Sequence, residues 1–218
     1  MISWHTLASA RAPDGGLLTL SQRGHDFAVG IDNQQLMASG DHASEEALAR
    51  LACERIAGRD APRVLVGGLG LGYTLRAAID ALPPSARVVV AELVPAVVTW
   101  NRGPVGHLAG HPLDDPRVSV EVGDVLELVR DASGQYDAVL LDVDNGPNGL
   151  VRKDNEVLYA PPGLAALNRV LRPAGVLAIW SAAPDRAFER RLHKAGFSVT
   201  TRRIKSHRLF LAETAIGM

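Results

Sequence analysis

The stretch VLVGGLGLGYTLRAA at residues 64–78 predicts a short apolar strand, then a glycine loop, then a helix. Gly68, Gly70 and Gly72 would let the backbone approach a ligand closely and adopt positive φ angles. Ligands of open α/β sheets bind at the carboxyl ends of the strands, where such a loop lies. The spacing is G-x-G-x-G rather than the G-x-G-x-x-G of a pyrophosphate-binding loop. Alone it is weak evidence for a ligand site, because a plain strand-to-helix turn has the same composition.

Outward from this loop, apolar strands alternate with helices. The predicted strands are RVLVG (63–67), RVVVAE (87–92), RVSVEVG (117–123), YDAVLLD (136–142), VLAIW (176–180), FSVTTRRI (197–204) and HRLFLAE (207–213). The predicted helices are 73–82, one that follows Pro95, 125–132, 163–171 and 185–196. Alternation of this kind predicts a parallel sheet covered on both faces. The last two strands are too close in sequence for a helical crossover, so they must pair antiparallel.

The fold class predicted is therefore α/β: a doubly wound, mostly parallel, seven-stranded Rossmann-like sheet with a terminal antiparallel hairpin. Before it, the apolar runs 17–22 and 27–31 predict a small N-terminal β-hairpin. Residues 41–58 have helical apolar spacing. We expect residues 1–60 to form a hairpin-and-helix element and residues 61–218 to form the ligand-binding domain, with the junction near 59–63.

Acidic residues end three of the strands that follow the loop. Glu92 closes the second predicted strand, where a carboxylate can accept hydrogen bonds from both ribose hydroxyls. Asp124 follows the third strand and can either meet an adenine amino group or cap the helix that begins at Val125. Asp142 ends the fourth strand, with Asp144 and Asn145 just beyond it. Two close carboxylates can grip a cationic amine, although this segment is also typical of an Asx-rich turn.

These segments, in this order, resemble the spermidine synthase family within the class I S-adenosylmethionine-dependent methyltransferase superfamily. The resemblance extends from about residue 40 to about residue 182 and is carried by VLVGGLGLGYTLRAA, VVVAELVPAVV, VSVEVGD, YDAVLLDVDNGP and LNRVLRPAGVLA. It implies that the nucleoside of S-adenosylmethionine, or of its decarboxylated form, is held by Gly68, Gly70, Gly72, Glu92, Asp124 and Val125. It also implies that Asp142 stands at the place of the family's catalytic aspartate.

The same resemblance points to the acceptor side. The helix containing Ser44, Glu45 and Glu46 is similar to the family's polyamine-binding Tyr-Gln-Glu element, and the N-terminal hairpin to a shortened form of its β domain. We therefore expect Glu45, Glu46 and Asn145 to contact the acceptor, with Asp144 assisting Asp142 in catalysis. Trp180, after the fifth strand, is a candidate wall of the acceptor pocket.

Three departures from the family pattern bear on the reaction. Leu71 stands where the family's glycine loop carries an aspartate that favours the decarboxylated donor. The family's Asp-x-x-Asp becomes Asp142-Val143-Asp144, one residue tighter, and Ser44 and Glu45 replace the Tyr and Gln. The first expectation is therefore an S-adenosylmethionine-dependent transferase that methylates a small acceptor, slightly ahead of aminopropyl transfer from decarboxylated S-adenosylmethionine to a polyamine.

Composition limits the remaining classes. The 218 residues include 23 Lys and Arg against 24 Asp and Glu, and this balance gives no global reason to expect a nucleic acid or a membrane as partner. With Cys53 as the only cysteine, an internal disulfide is excluded. No signal peptide and no long apolar run are recognisable, so we expect a cytoplasmic protein. An N-terminal hairpin too small to hold its own core makes a homodimer one expectation.

Rival functions rest on weaker signals. The basic run TRRIKSHR (201–208) is the support for a nucleic-acid methyltransferase, although such residues commonly guard an edge strand. An NAD-dependent oxidoreductase is disfavoured by the glycine spacing. His107 and His111 have the spacing of a helical metal pair, but nearby glycines and a proline disfavour the helix, so no metal is expected. A non-catalytic binding module is the remaining alternative.

Overall fold

The computed structural model describes residues 3–32, 34–130, 132–143 and 155–215. Within these ranges the chain forms a four-stranded and a seven-stranded β-sheet, with a helix between them in the sequence. The predicted fold class is confirmed: the larger sheet is doubly wound and mostly parallel.

The N-terminal sheet is antiparallel and its strands lie side by side in chain order. They are β1 (His5–Arg11), β2 (Leu17–Arg23), β3 (Asp26–Ile31) and β4 (Gln34–Ala38). The predicted hairpin is present as β2 and β3, whereas β1 and β4 add two strands that the pattern does not predict. β1 is mostly exposed and lacks regular apolar alternation, and β4 opens with two glutamines, so neither carries the usual strand signal.

Helix α1 (Ala43–Arg55) follows and is shorter at both ends than the predicted 41–58. It buries Ala47, Leu48 and Ala52, the positions whose spacing predicts the helix. These side chains pack toward α2 (Tyr73–Ala81) and toward the larger sheet. The segment that precedes α1 is thereby held near the strand ends of that sheet.

The larger sheet has the order β10-β11-β9-β8-β5-β6-β7. Its strands are β5 (Arg63–Gly67), β6 (Arg87–Glu92), β7 (Val118–Val122), β8 (Tyr136–Leu141), β9 (Leu171–Ser181), β10 (Ser198–Ile204) and β11 (His207–Glu213). The first five are parallel, while β11 is antiparallel to both β9 and β10, as the short Lys205-Ser206 connection requires. The chain runs from β5 to one side and later returns to its other side at β8, which creates a topological switch point beside β5.

Helices cover both faces of this sheet. Besides α1 and α2 they are α3 (Pro95–Arg102), α4 (Val125–Arg130), α5 (Asn155–Tyr159), α6 (Pro161–Val170) and α7 (Arg186–Lys194). Successive strand residues alternate between two apolar cores, so Val64 and Val66 face one core and Leu65 faces the other. The central strands β5 and β8 are mostly apolar because both of their faces are buried, whereas the edge strands β7 and β10 are partly exposed and carry polar residues.

β9 is longer than the predicted 176–180 because it begins before Pro173. The pairing with β8 passes from Tyr136–Leu171 directly to Ala138–Val176, so the intervening residues of β9 bulge out of the ladder. Pro173 lies in this bulge, where its lack of an N–H does not break a ladder hydrogen bond.

A buried carboxylate lies at the amino end of β8. Asp137 is 1 % exposed and accepts hydrogen bonds from Arg172 Nη1 at 2.8 Å and from the backbone N–H of Arg63 at 2.8 Å. The Arg59 guanidinium lies 3.6 Å away. This cluster joins the starts of β5, β8 and β9.

Among the helices in the described ranges, none has the length and apolar character needed to cross a membrane.

Candidate functional site

The carboxyl ends of β5, β6 and β8 meet at one edge of the larger sheet. Beyond the last ladder pairs, Gly68 N still donates to Ala91 O at 2.9 Å and Asp142 N to Gly67 O at 2.9 Å. These bonds hold the residues that follow the three strands side by side. The glycine loop and the strand-end acids that the sequence singles out therefore share one edge.

The backbone of Asp142 lies so close to position 68 that a glycine is needed there. Its φ is +88°, and a Cβ at this position would lie 2.3 Å from the carbonyl oxygen of Asp142. A side chain here would force β5 and β8 apart, so only glycine fits.

Gly72 lies behind the cavity wall, and its predicted contact with the nucleoside stays a prediction. Its φ is +89°, and a Cβ there would lie 3.1–3.2 Å from Asn101, Ala109 and Pro112. It precedes α2 and packs against these neighbours, and it does not line the cavity beside the loop. The structure thus places Gly68 and Gly70 in the cavity wall and Gly72 behind it.

We call this cavity the loop cleft. Its wall comes from the strand ends of the larger sheet on one side and from the N-terminal sheet on the other. Its lining residues are Ala12, Leu18, Val29, Ile31, Leu36, Met37, Gly68, Gly70, Ala91, Glu92, Leu93, Val94, Val97, Gly123, Asp124, Val125, Asp142 and Val143. Most of the lining is apolar, with three carboxylates at the strand ends.

Glu92 is anchored in the wall of the loop cleft. It is 7 % exposed, and its two carboxylate oxygens accept from the backbone N–H groups of Leu69 at 3.0 Å and Val94 at 2.8 Å. The carboxylate therefore ties the glycine loop to the end of β6 while facing the cleft.

Asp124 and Val125 also lie in the wall of the loop cleft. The Asp124 carboxylate accepts from the backbone N–H of Leu126 at 2.8 Å, at the start of α4. Of the two roles that the sequence allows for Asp124, the structure thus shows the capping bond and places the residue beside the cavity as well.

Asn101, which the sequence analysis does not single out, holds the glycine loop from behind. Its side chain is 1 % exposed, and its amide donates to the carbonyl oxygens of Gly70 at 2.8 Å and Val97 at 3.0 Å. The available signal was a polar residue at a helix position, four after Val97, that should face the core.

A second cavity adjoins the loop cleft, and we call it the outer cavity. Its volume is about 510 Å³. Its lining residues are Gln35, Leu36, Met37, Ala38, Gly40, Asp41, Glu45, Leu69, Gly70, Leu71, Tyr73, Asp142, Trp180, Ala182 and His207. The charged lining consists of carboxylates, since no Lys or Arg is among these described residues.

Asp142 lies in the walls of both cavities. Its Oδ2 accepts from the Thr74 hydroxyl at 2.6 Å. Burial raises the pKa of Asp142 to about 7, with the nearby negative Glu45 adding to the rise and the Thr74 bond opposing it. A carboxyl group with this pKa exchanges a proton near neutral pH, as a general base must.

Glu45 and Glu46 separate, although both lie on α1. Glu45 lies in the wall of the outer cavity and accepts from the Ser44 hydroxyl at 2.5 Å. Glu46 points away and pairs with His42 at 2.8 Å and with Arg50 at 3.3 Å in a separate depression. Consecutive helix residues point about 100° apart, so α1 places Glu45 in the wall of the outer cavity and Glu46 outside it.

Trp180 lies in the wall of the outer cavity, as the sequence predicts, and its ring centroid is 4.7 Å from that of His207. His207 follows the β10–β11 turn, and Thr74 follows the glycine loop. Neither is singled out by the sequence analysis: His207 reaches the cavity through the pairing of β11, and Thr74 lies on the first turn of α2, where its side chain meets Asp142.

The N-terminal sheet contributes Leu36 and Met37, which line both cavities. Both lie on β4, one of the strands that the sequence pattern does not predict. The sequence analysis does not single out Leu36 and Met37 because it does not predict the strand that carries them.

Two predicted residues, Asp144 and Asn145, lie outside the described residues. Within the described ranges, no group of three or more His, Cys, Asp or Glu side chains is placed to hold a metal ion.

Comparison with solved structures identifies the class of fold. A spermidine synthase from Thermotoga maritima superimposes with a TM-score of 0.75 at 18 % identity, covering 97 % of this chain and 74 % of that one. A probable spermidine synthase from Corynebacterium glutamicum gives 0.66 at 14 % identity, covering 94 % of this chain and 79 % of the other. The fold is that of spermidine synthases, consistent with an S-adenosylmethionine-dependent methyltransferase-like sheet.

The chain belongs to the spermine/spermidine synthase family, because the model of the spermine/spermidine synthase domain matches residues 42–190. A polyamine aminopropyltransferase of Mycobacterium tuberculosis is 27 % identical over 193 residues, covering 84 % of this chain and 35 % of the relative. Putrescine N-methyltransferase 2 of Nicotiana tabacum is 31 % identical over 116 residues, covering 53 % of this chain and 31 % of the relative. The chain spans about a third of the length of these curated relatives.

Proposed function

We propose that the protein transfers the aminopropyl group of decarboxylated S-adenosylmethionine to a cationic polyamine. The observation that carries this proposal is the position of Asp142, whose carboxylate borders both the loop cleft and the outer cavity. A donor in one cavity and an acceptor in the other would meet beside this carboxylate. Aminopropyl transfer here takes precedence over the methyl transfer that the sequence departures alone favour.

The loop cleft would hold the nucleoside of the donor. Gly68 and Gly70 leave backbone in its wall where side chains would otherwise stand. Glu92 is held there by two backbone N–H groups, in position to accept hydrogen bonds from ribose hydroxyls. Asp124 would face the adenine amino group, and Val125 would pack on the ring.

The outer cavity has the charge that a polyamine requires. Its lining includes three carboxyl groups, those of Asp41, Glu45 and Asp142. The Trp180 ring offers a face for a cation–π contact with an ammonium group. The same acids would repel the α-carboxylate of S-adenosylmethionine if the donor tail extended past Asp142. This argument supports the decarboxylated donor, and the aminopropyltransferase relatives support the reaction.

Asp142 would act as the base that prepares the nucleophile. A primary amine with a pKa near 10 is about one part in a thousand neutral at pH 7, an obstacle of about 4 kcal/mol. Transfer of one ammonium proton to Asp142 frees the nitrogen lone pair. The nitrogen then bonds to the carbon next to the sulfonium, the carbon–sulfur bond breaks, and its electron pair neutralises the sulfur. The two cavities supply the alignment for this displacement.

Methyl transfer from S-adenosylmethionine is the second candidate. Leu71 is buried in the glycine loop and lines the outer cavity, so the loop lacks the carboxylate that the family resemblance links to the decarboxylated donor. A putrescine N-methyltransferase is also among the relatives.

Product analysis separates the two reactions. Purified protein is incubated with either donor and a panel of putrescine, cadaverine and spermidine, with Asp142→Asn as the control. Methylthioadenosine formed from the decarboxylated donor, together with a lengthened amine, is the expected result. S-adenosylhomocysteine with a methylated amine would favour the second candidate. Donor binding without either product would identify a binding module and end the enzymatic proposal.

A further inference from the structure

The turn between β10 and β11 reaches the rim of the outer cavity. Lys205 and Ser206 form this turn between the paired residues Ile204 and His207. Lys205 has a φ of +53°, a left-handed conformation that Gly and Asn adopt far more readily in two-residue hairpin turns. A lysine at such a position points to a role for the side chain.

The ammonium group of Lys205 spans a large sequence distance. Its Nζ lies 2.8 Å from Oδ1 of Asp41, in the segment just before α1. This contact holds the pKa of Asp41 below its ordinary value. The two side chains are 59 % and 52 % exposed, so the pair is in contact with water and can exchange partners.

Asp41 and Asp142 both lie in the wall of the outer cavity. Asp142 lies where this cavity meets the loop cleft, whereas Asp41 is exposed at the solvent side. Because both carboxylates line the same cavity, a polyamine with its reacting nitrogen beside Asp142 can extend its chain toward Asp41. Its far ammonium group would then approach the carboxylate that Lys205 already holds.

We propose that Lys205 is an internal substitute for the far ammonium group of the acceptor, so that the Lys205–Asp41 pair discriminates against longer polyamines. This inference rests on the proposed function. An amine that reaches Asp41 must displace the Lys205 ammonium group with its own. Its binding free energy therefore gains little from the contact with Asp41. An amine too short to reach Asp41 loses nothing by the presence of Lys205.

Calorimetric titration of the full chain tests this proposal at one fixed ionic strength, with putrescine and spermidine as probes. Lys205→Met keeps the aliphatic stem and removes the charge, and Lys205→Arg restores it. Arg202→Met removes a nearby exposed charge of the same hairpin and is the matched control. We expect Lys205→Met to tighten spermidine binding about three-fold, the scale of an exposed ion pair, and to change putrescine binding no more than Arg202→Met does.

A double-mutant cycle localises the effect. In an Asp41→Asn background, Lys205→Met should give no further gain for spermidine, since the carboxylate that they share is gone. Equal gains from Lys205→Met and Arg202→Met, or a gain that persists without Asp41, would overturn the inference while leaving amine transfer intact. If neither amine binds to the wild-type protein, the amine acceptor itself is wrong, and the proposed function fails with this inference.

Discussion

Two aspartates bracket β8 and meet opposite electrostatic conditions. Asp137, at the amino end, is compensated by Arg172 and Arg59 and by the backbone N–H of Arg63. Asp142, just past the carboxyl end, accepts from the Thr74 hydroxyl and has Glu45 as its charged neighbour. Within the described residues, no Lys or Arg pairs with Asp142.

The difference separates a structural carboxylate, Asp137, from Asp142, which we propose as the reactive one. Asp137 contacts two guanidinium groups and a backbone N–H, and these contacts join the starts of three strands. Asp142, at the end where ligands bind, has no Lys or Arg partner in the part of the chain that the structure describes, and burial raises its pKa to about 7. A cationic acceptor would supply the missing charge, which is what a base for an amine needs.

We expect the largest effect, on turnover, from replacing Asp142, the proposed base. Asp142→Asn keeps the shape and can still accept from Thr74, but it cannot take a proton from the amine. Turnover should fall about 10³-fold, within the range of general-base contributions, with donor affinity unchanged. Single-turnover kinetics and donor titration measure the two quantities. Turnover within ten-fold of wild type would show that Asp142 is not the base.

Replacing Asp137, whose carboxylate is paired with two guanidinium groups, should lower the free energy of unfolding instead. Asp137→Asn leaves the Arg172 and Arg59 guanidinium groups without their buried partner, and we expect a loss of about 3 kcal/mol in the free energy of unfolding. Urea denaturation measures this loss. Both arginines are partly exposed, so a loss below 1 kcal/mol would show that water replaces the carboxylate and that the cluster is weak.

For Asp142 the comparison predicts the opposite effect on stability: replacing this residue by Asn should raise the free energy of unfolding. Its folded-state pKa of about 7 exceeds the ordinary value of 3.8. Between these two pH values the folded protein binds the extra proton, so Asp142 lowers stability as pH rises and its full effect is reached above pH 7. Each pKa unit corresponds to about 1.4 kcal/mol, and allowing for partial exposure we expect Asp142→Asn to stabilise the fold by about 2 kcal/mol at pH 8. Urea curves at pH 4 should show almost no difference between the two proteins. An equal gain at both pH values would assign the effect to packing rather than to charge.

The sequence predicted the larger sheet well because its central strands, such as β5, β6 and β8, are short apolar runs that end at or just before a glycine or an acid. The loop, Glu92 and Asp142 follow from the rule that ligands bind at carboxyl strand ends. The outer cavity was less predictable, since it is formed by segments far apart in sequence. Asp41, Tyr73 and His207 come together only through the packing of α1 and the β10–β11 turn.

Two of the predicted site residues lie outside the walls of the two cavities for physical reasons. Gly72 has the same type and spacing as Gly68, but its missing side chain makes room for Asn101 and Pro112 rather than for a ligand. Glu46 follows Glu45 directly and resembles it chemically, but helix geometry turns it toward His42 and Arg50. Residue type identifies candidates, and direction decides between them.

The smallest expected effect is a shift in the pH dependence of kcat/KM, which reports groups of the free enzyme. Activity should rise with pH around 7 as Asp142 loses its proton. Glu45→Gln removes a negative neighbour and should move this rise to lower pH, whereas Thr74→Val removes a hydrogen bond to the carboxylate and should move it to higher pH. Asp137→Asn is the control, because its site lies at the other end of β8 and should leave the midpoint unchanged. Shifts of the same sign in the Glu45 and Thr74 variants would show that a group other than Asp142 controls the profile.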